Sequence, residues 1–330
     1  MRPHPAAGGY RGGVSSAIAP AAPQAPTGRP SGRTPARWVP SPTWAHRILI
    51  ANLVAQVGIV VTGGVVRLTG SGLGCSTWPQ CEPGQFTPVR HEATSWHPFI
   101  EFGNRTLTGV LALVALATAL VVWRTRDRAR SYRLLGLVPL VGVAVQALVG
   151  GLTVLVDLHP AVVGSHMMIS MVLVGASTAL LWRHHEGDGP PRPVVAPATR
   201  VLGHALVAGC ALVLVLGTVV TGAGPHSGDD EAAYRFALDP AQISRAHSAS
   251  VWLYVLGVVA LLVAVHRSDA GQVARRTTVT LLVVTLLQGA IGYVQYFTGL
   301  PAVLVAAHML GASLLVAAQV RAVMALRLRA

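Results

Sequence analysis

The chain has 330 residues, 52% of them hydrophobic and only 11% charged, with a mean hydropathy of +0.55. So few charges exclude a water-soluble globular surface. The formal charge of +13 comes from 25 basic residues, all of them Arg, and their clustering in alternate loops between apolar runs speaks for membrane topology and against nucleic-acid binding.

Residues 1–42 are rich in Pro, Gly, Ala and Ser and contain no acid, which predicts a disordered tail rather than a secretory signal. Eight apolar runs of about 20 residues follow, each long enough to cross roughly 30 Å of hydrocarbon. They lie near 44–66, 99–123, 133–156, 161–183, 200–222, 246–266, 277–298 and 302–324. The segments after the second, fourth, sixth and eighth runs carry most of the arginines, among them Arg124, Arg126, Arg128, Arg130, Arg192, Arg267, Arg275 and Arg327. The positive-inside rule therefore puts both termini in the cytoplasm. An Arg-bearing, acid-free leader also suits organelle import, but its Pro and Gly content opposes an amphipathic helix, so a multi-pass protein of a bacterial plasma membrane is expected.

The halves repeat. Val61-Thr62-Gly63 ends the first run and Val220-Thr221-Gly222 the fifth. Val145-Gln146-Ala147-Leu148-Val149-Gly150 matches Leu287-Gln288-Gly289-Ala290-Ile291-Gly292, and beyond the intervening Pro160 and Pro301 stand His166-Met167 and His308-Met309. The expected fold is an all-α integral membrane protein whose eight transmembrane helices form two pseudo-symmetric four-helix bundles. The bundles would span 43–184 and 200–325, joined by a cytoplasmic linker at 185–199.

Histidine inside a membrane span is costly unless partnered, so each one is a functional candidate. His166, His247 and His308 all fall roughly 10 Å below the outer surface at 1.5 Å rise per residue. His247 and His308 sit where two imidazoles could ligate one haem iron from facing helices, whereas bare zinc or copper would want more ligands than either bundle offers. In the second span Glu101, Asn104, Arg105 and Thr108 share a face, and the sixth span has Ser244, His247, Ser248 and Val251 at the corresponding places. One half thus has two imidazoles, while the other has His166 beside a carboxylate and a guanidinium. A haem with two axial imidazoles passes electrons; one with a single protein ligand can meet oxygen.

Glu101 in an apolar setting can shuttle a proton, or it can simply pair with Arg105. Arg67, Arg105 and Arg245 lie at the outer boundary, where guanidinium groups can pair with haem propionates or snorkel to the interface. Cys75 and Cys81 stand in the first outer loop, where the oxidising compartment and their spacing lead us to expect a disulfide, of structural or redox use. Cys210 lies within a span and is expected only to pack. His97 is a reserve ligand.

Thr62 to Cys81, Ile100 to Arg105 and the histidine-bearing spans together resemble the haem A synthase family over residues 44–325. The resemblance implies an oxidoreductase that uses oxygen to convert a methyl group of haem O, through hydroxylated intermediates, to the formyl group of haem A for cytochrome oxidase. It implies substrate haem in the N-terminal bundle with His166 as ligand and Glu101 as catalytic carboxylate, haem b between His247 and His308, and a Cys75–Cys81 disulfide. Haem O synthase and cytochrome oxidase assembly factors are the implied partners. The electron donor, and whether the chain forms a homo-oligomer, stay open. Two departures stand out: Asn104 occupies a place where the family commonly has His, leaving Asn104, a water or His97 to complete the first site if it is six-coordinate, and residues 223–245 lack the second cysteine pair some members carry. The competing expectation is a non-catalytic dihaem b electron carrier, for which Glu101 would be dispensable.

Overall fold

Proline at or near the start of most helices, where its missing N–H costs nothing, sets the rhythm of the structure. The computed structural model describes residues 41–90, 95–229 and 234–329; all but the end of the expected tail lies outside them. Helix α1 (Pro42–Leu68) starts on Ser41, whose side chain accepts from the Trp44 N–H at 3.3 Å. It is followed by α2 (His97–Arg124), α3 (Arg130–Leu135), α4 (Val138–Leu155), α5 (Pro160–His184), α6 (Pro197–Ala223), α7 (Pro240–His266), α8 (Gly271–Phe297) and α9 (Ala302–Met324). Counting α3 and α4 as one span, eight helices among the described residues are long and apolar enough to cross a membrane. The chain is an all-α, multi-pass membrane protein.

The third span departs from the expected continuous helix. It breaks between α3 and α4 at Gly136-Leu137, ahead of Pro139, which lacks the N–H that would continue the ladder back to the preceding turn. The sixth span starts earlier than its apolar run, because the Asp239 carboxylate accepts from the Ala241 N–H at 2.8 Å and Pro240 opens the helix. Helix α6 likewise begins at Pro197, inside the stretch read as linker.

Helix α1 packs on α2 and α5, and α4 packs on the same two; α6 packs on α7 and α9, and α8 packs on that pair. Each set is a closed ring of four. The rings meet where α1 and α5 contact α9 and α5 contacts α6. The main apolar cluster straddles that seam, with Val60, Met171 and Val174 beside Leu206, Val213, Val258, Leu315 and Ala322. Buried polar groups also pair across helices: Asn52 Nδ2 donates to Ser177 Oγ at 2.9 Å and Tyr254 OH to Gln319 Oε1 at 2.6 Å. Such bonds average about 0.6 kcal/mol in membranes.

At one end, long loops join α1 to α2 and α6 to α7. At the other, two-residue strands β1 (Arg192–Pro193) and β2 (Arg327–Leu328) pair antiparallel and tie the end of the chain to the α5–α6 connection. Asp188 is the hub there. It accepts from Arg128 Nε, Arg183 Nη2 and the Ala129 N–H at 2.7–2.8 Å, while Arg327 pairs with Glu186 at 3.2 Å.

Candidate functional site

The loop after α1 closes over the first ring. Cys75 and Cys81 form a disulfide and both are fully buried. Trp78, between them, lies against Gly151 of α4 at a spot where a methyl group would collide with its ring. Beneath this cap sits Glu101, 5% exposed. Its Oε2 accepts from the Cys75 N–H at 2.7 Å and its Oε1 from Arg105 Nε at 3.0 Å. Arg105 Nη1 in turn donates to the Thr77 and Gln80 carbonyls at 3.0 and 3.1 Å. Carboxylate, guanidinium and disulfide loop form one network, so the ion pair foreseen for Glu101 exists and holds Arg105 onto the loop.

Arg67 also spends its donors on main chain: Nη2 donates to the Thr221 carbonyl at 2.8 Å and Nε to that of His226. His226 Nε2 donates to the Leu300 carbonyl at 3.1 Å, and the Gly72 N–H donates to the Gly228 carbonyl at 2.8 Å. The long-loop ends of both rings are thereby laced together. Arg245 is exposed near the start of α7. His97 Nδ1 is engaged with Ser71 Oγ at 2.9 Å.

Each of the three membrane histidines rests on a glycine of the neighbouring helix. A methyl group added at Gly150, Gly217 or Gly292 would lie 3.2, 3.2 and 3.1 Å from Cε1 of His166, His247 and His308 respectively. Glutamines fix two of the histidine backbones: Gln146 Nε2 donates to the His166 carbonyl at 3.1 Å, and Gln288 Nε2 to that of His308 at 2.8 Å. Nδ1 of His166 is buried and meets no hydrogen-bond partner among the described residues, whereas the His247 and His308 rings face the backbone carbonyls of Val213 and Gln288, one turn before their supporting glycines. His247 and His308 stand on α7 and α9, the diagonal helices of the second ring. Asn104, the counterpart of His247, is turned to α1, where its Oδ1 accepts from Thr62 Oγ1 at 2.8 Å.

Among the described residues no three His, Cys, Asp or Glu side chains are grouped to hold a bare metal ion. The imidazole pair of His247 and His308, on diagonal helices of the second ring and each resting on a glycine, fits an iron porphyrin, which brings four nitrogen ligands of its own. The sequence had pointed to Glu101 and the histidines. It had not pointed to the glycines beneath the rings or to Thr62, although Gly150 and Gly292 stand within the repeated segments.

A family model described as Cytochrome oxidase assembly protein, COX15-CtaA, matches residues 46–320. The chain belongs to this family. Among relatives, it is similar to a Heme A synthase of Lysinibacillus sphaericus, 31% identical over 132 residues, or 38% of this chain and 40% of the relative. It is also similar to Heme A synthases of Bacillus licheniformis, 26% identical over 140 residues (42% and 45%), and of Halalkalibacterium halodurans, 28% identical over 153 residues (45% and 50%). In this COX15-CtaA family member, the matched stretch spans about half or less of each relative's length.

Proposed function

We propose that the chain is a haem A synthase that oxidises a methyl group of haem O to the formyl group of haem A, through hydroxylated intermediates, for cytochrome oxidase biogenesis. Family membership and the relatives' names support the overall role. The observation that carries the division of labour is the contrast between the rings: imidazoles on two diagonal helices of the second, and in the first a single imidazole on α5 with a capped carboxylate on the diagonal α2.

In this reading residues 43–184 and 200–325 are pseudo-symmetric bundles, the first for substrate and the second for haem b. His247 and His308 hold haem b, which when bound supplies one-electron transfer. His166 positions substrate haem O. Each hydroxylation takes one dioxygen, two electrons and two protons, inserts one oxygen atom into a C–H bond and releases the other as water; loss of water from the twice-hydroxylated carbon leaves the formyl group. Glu101, held by the Cys75 N–H and Arg105, moves protons at its carboxylate oxygens. The disulfide cap keeps bulk water off that carboxylate. The electron donor is a separate reductant, and haem O synthase and oxidase assembly factors are the natural partners. Both termini lie in the cytoplasm of a bacterial plasma membrane.

The test is to express the chain with a haem O synthase and analyse extracted haem by mass spectrometry. Hydroxylated and formylated haem are expected. Folded protein that contains haem b yet never yields either product overturns the reading.

A further inference from the structure

The glycine-supported imidazole occurs at three corners of the two rings, and the fourth corner is different. Gly217 lies in Leu216-Gly217-Thr218-Val219-Val220-Thr221-Gly222 of α6 and carries the His247 ring. The equivalent segment of α1 is Val57-Gly58-Ile59-Val60-Val61-Thr62-Gly63, so Gly58 takes the place of Gly217. Among the described residues nothing lies within 4 Å of where a Gly58 methyl group would be, and Gly58 is exposed, whereas Gly150, Gly217 and Gly292 are each half-covered. The counterpart of His247 is Asn104, whose shorter side chain is drawn to Thr62, one helical turn beyond Gly58. Helices α2 and α5 each pack on both α1 and α4, so Asn104 and His166 occupy diagonal corners of the first ring, as His247 and His308 do in the second.

We propose that the open face of Gly58, flanked by Asn104, is a subsite for a small exogenous iron ligand, with room for a neutral ring of imidazole size. It stands where the equivalent corner of the other ring places a protein imidazole. This rests on the reading that the first ring holds iron porphyrin by His166. Asn104 then does two things. It withholds a protein ligand from that side of the iron, and through Thr62 its side chain is kept from falling across Gly58.

The test uses the full-length protein in nanodiscs, containing its haem b and loaded with ferric protohaem as stand-in for the substrate. Imidazole is the probe, and low-temperature EPR and optical absorption give the spin state. A second haem that is high-spin and turns low-spin on imidazole addition is expected. Asn104→His should make it low-spin without imidazole. Gly58→Val should weaken imidazole binding roughly tenfold or more by steric intrusion, with both haems retained; Gly58→Ala replaces it if the valine variant loses the low-spin haem b signal that reports folding. A second haem already low-spin and indifferent to imidazole overturns the subsite, as does imidazole affinity unmoved by either Gly58 variant. Failure of any second haem to bind, or its retention in His166→Ala, overturns the underlying reading of the first ring as well.

Discussion

Glu101 and Cys75 are joined by a 2.7 Å hydrogen bond from the Cys75 main chain to the Glu101 carboxylate, so the disulfide loop and the candidate proton carrier are one structural unit. The other carboxylate oxygen is bound by Arg105, and Arg105 is bound by the same loop. Glu101→Gln keeps the shape of the side chain and gives up its proton-carrying role. Hydroxylated plus formylated haem should fall by roughly a hundredfold or more, with haem b absorbance unchanged. Glu101→Ala separates the oxygenase from an electron carrier: if it leaves haem oxidation intact, the carboxylate is not part of the chemistry.

The same network sets an expectation for the cysteines. Cys75→Ser with Cys81→Ser removes a covalent tie worth about 2–4 kcal/mol in typical cases, and it loosens the main-chain donor that orients Glu101. Thermal unfolding in detergent should move to lower temperature, and product formation should drop further than the loss of folded protein explains. Equal losses of product and folded protein would reduce the disulfide to a purely structural role.

Much of this arrangement was legible in the sequence because membrane spans advertise themselves by length, and a buried His or Glu stands out against apolar neighbours. The spacing of Cys75 and Cys81 and the matched Gln146 and Gln288 could be read the same way. Other features were hidden for physical reasons. The break at Gly136-Leu137 had its signal in Pro139, but the unbroken apolar run around that proline masked it. Arg67 and Arg105 read as boundary cations for propionates or the interface, with Arg105 also a partner for Glu101, but their bonds to main-chain carbonyls of distant loops carry no residue signature. The role of Gly217 under His247 is likewise a long-range contact, visible only when α6 and α7 are placed side by side.

The glycine supports make a prediction about ring orientation. Gly217→Ala and Gly292→Ala each put a methyl group 3.1–3.2 Å from an imidazole Cε1, so the ring must tilt by a few tenths of an ångström rather than leave. Haem b content should survive, while its low-spin EPR g-values shift, since these follow the relative orientation of the two imidazole planes. His247→Ala or His308→Ala, by contrast, should abolish the bis-imidazole signal. Unshifted g-values in both glycine variants would mean that the rings do not ligate from this position.

At the opposite end, Asp188 supplies a pH dependence. Burial pushes its carboxyl upward, but the hydrogen bonds from Arg128 and the Ala129 N–H, with the charges of Arg128 and Arg183, outweigh it and hold the group below its ordinary value. A carboxyl that binds its proton less readily folded than unfolded stabilises the fold above its unfolded pKa, ordinarily about 3.9. That contribution is lost as pH falls through the still lower folded value. Thermal stability in detergent should therefore decline as pH is lowered from about 5 toward 3, and Asp188→Asn should be less stable at neutral pH with a flatter decline. The side chain is partly solvated, so the effect belongs to the lower range for ion pairs. A variant that declines as steeply as the parent would assign the acid sensitivity to other carboxylates, with Glu186, bound to Arg183 and Arg327, the next to substitute.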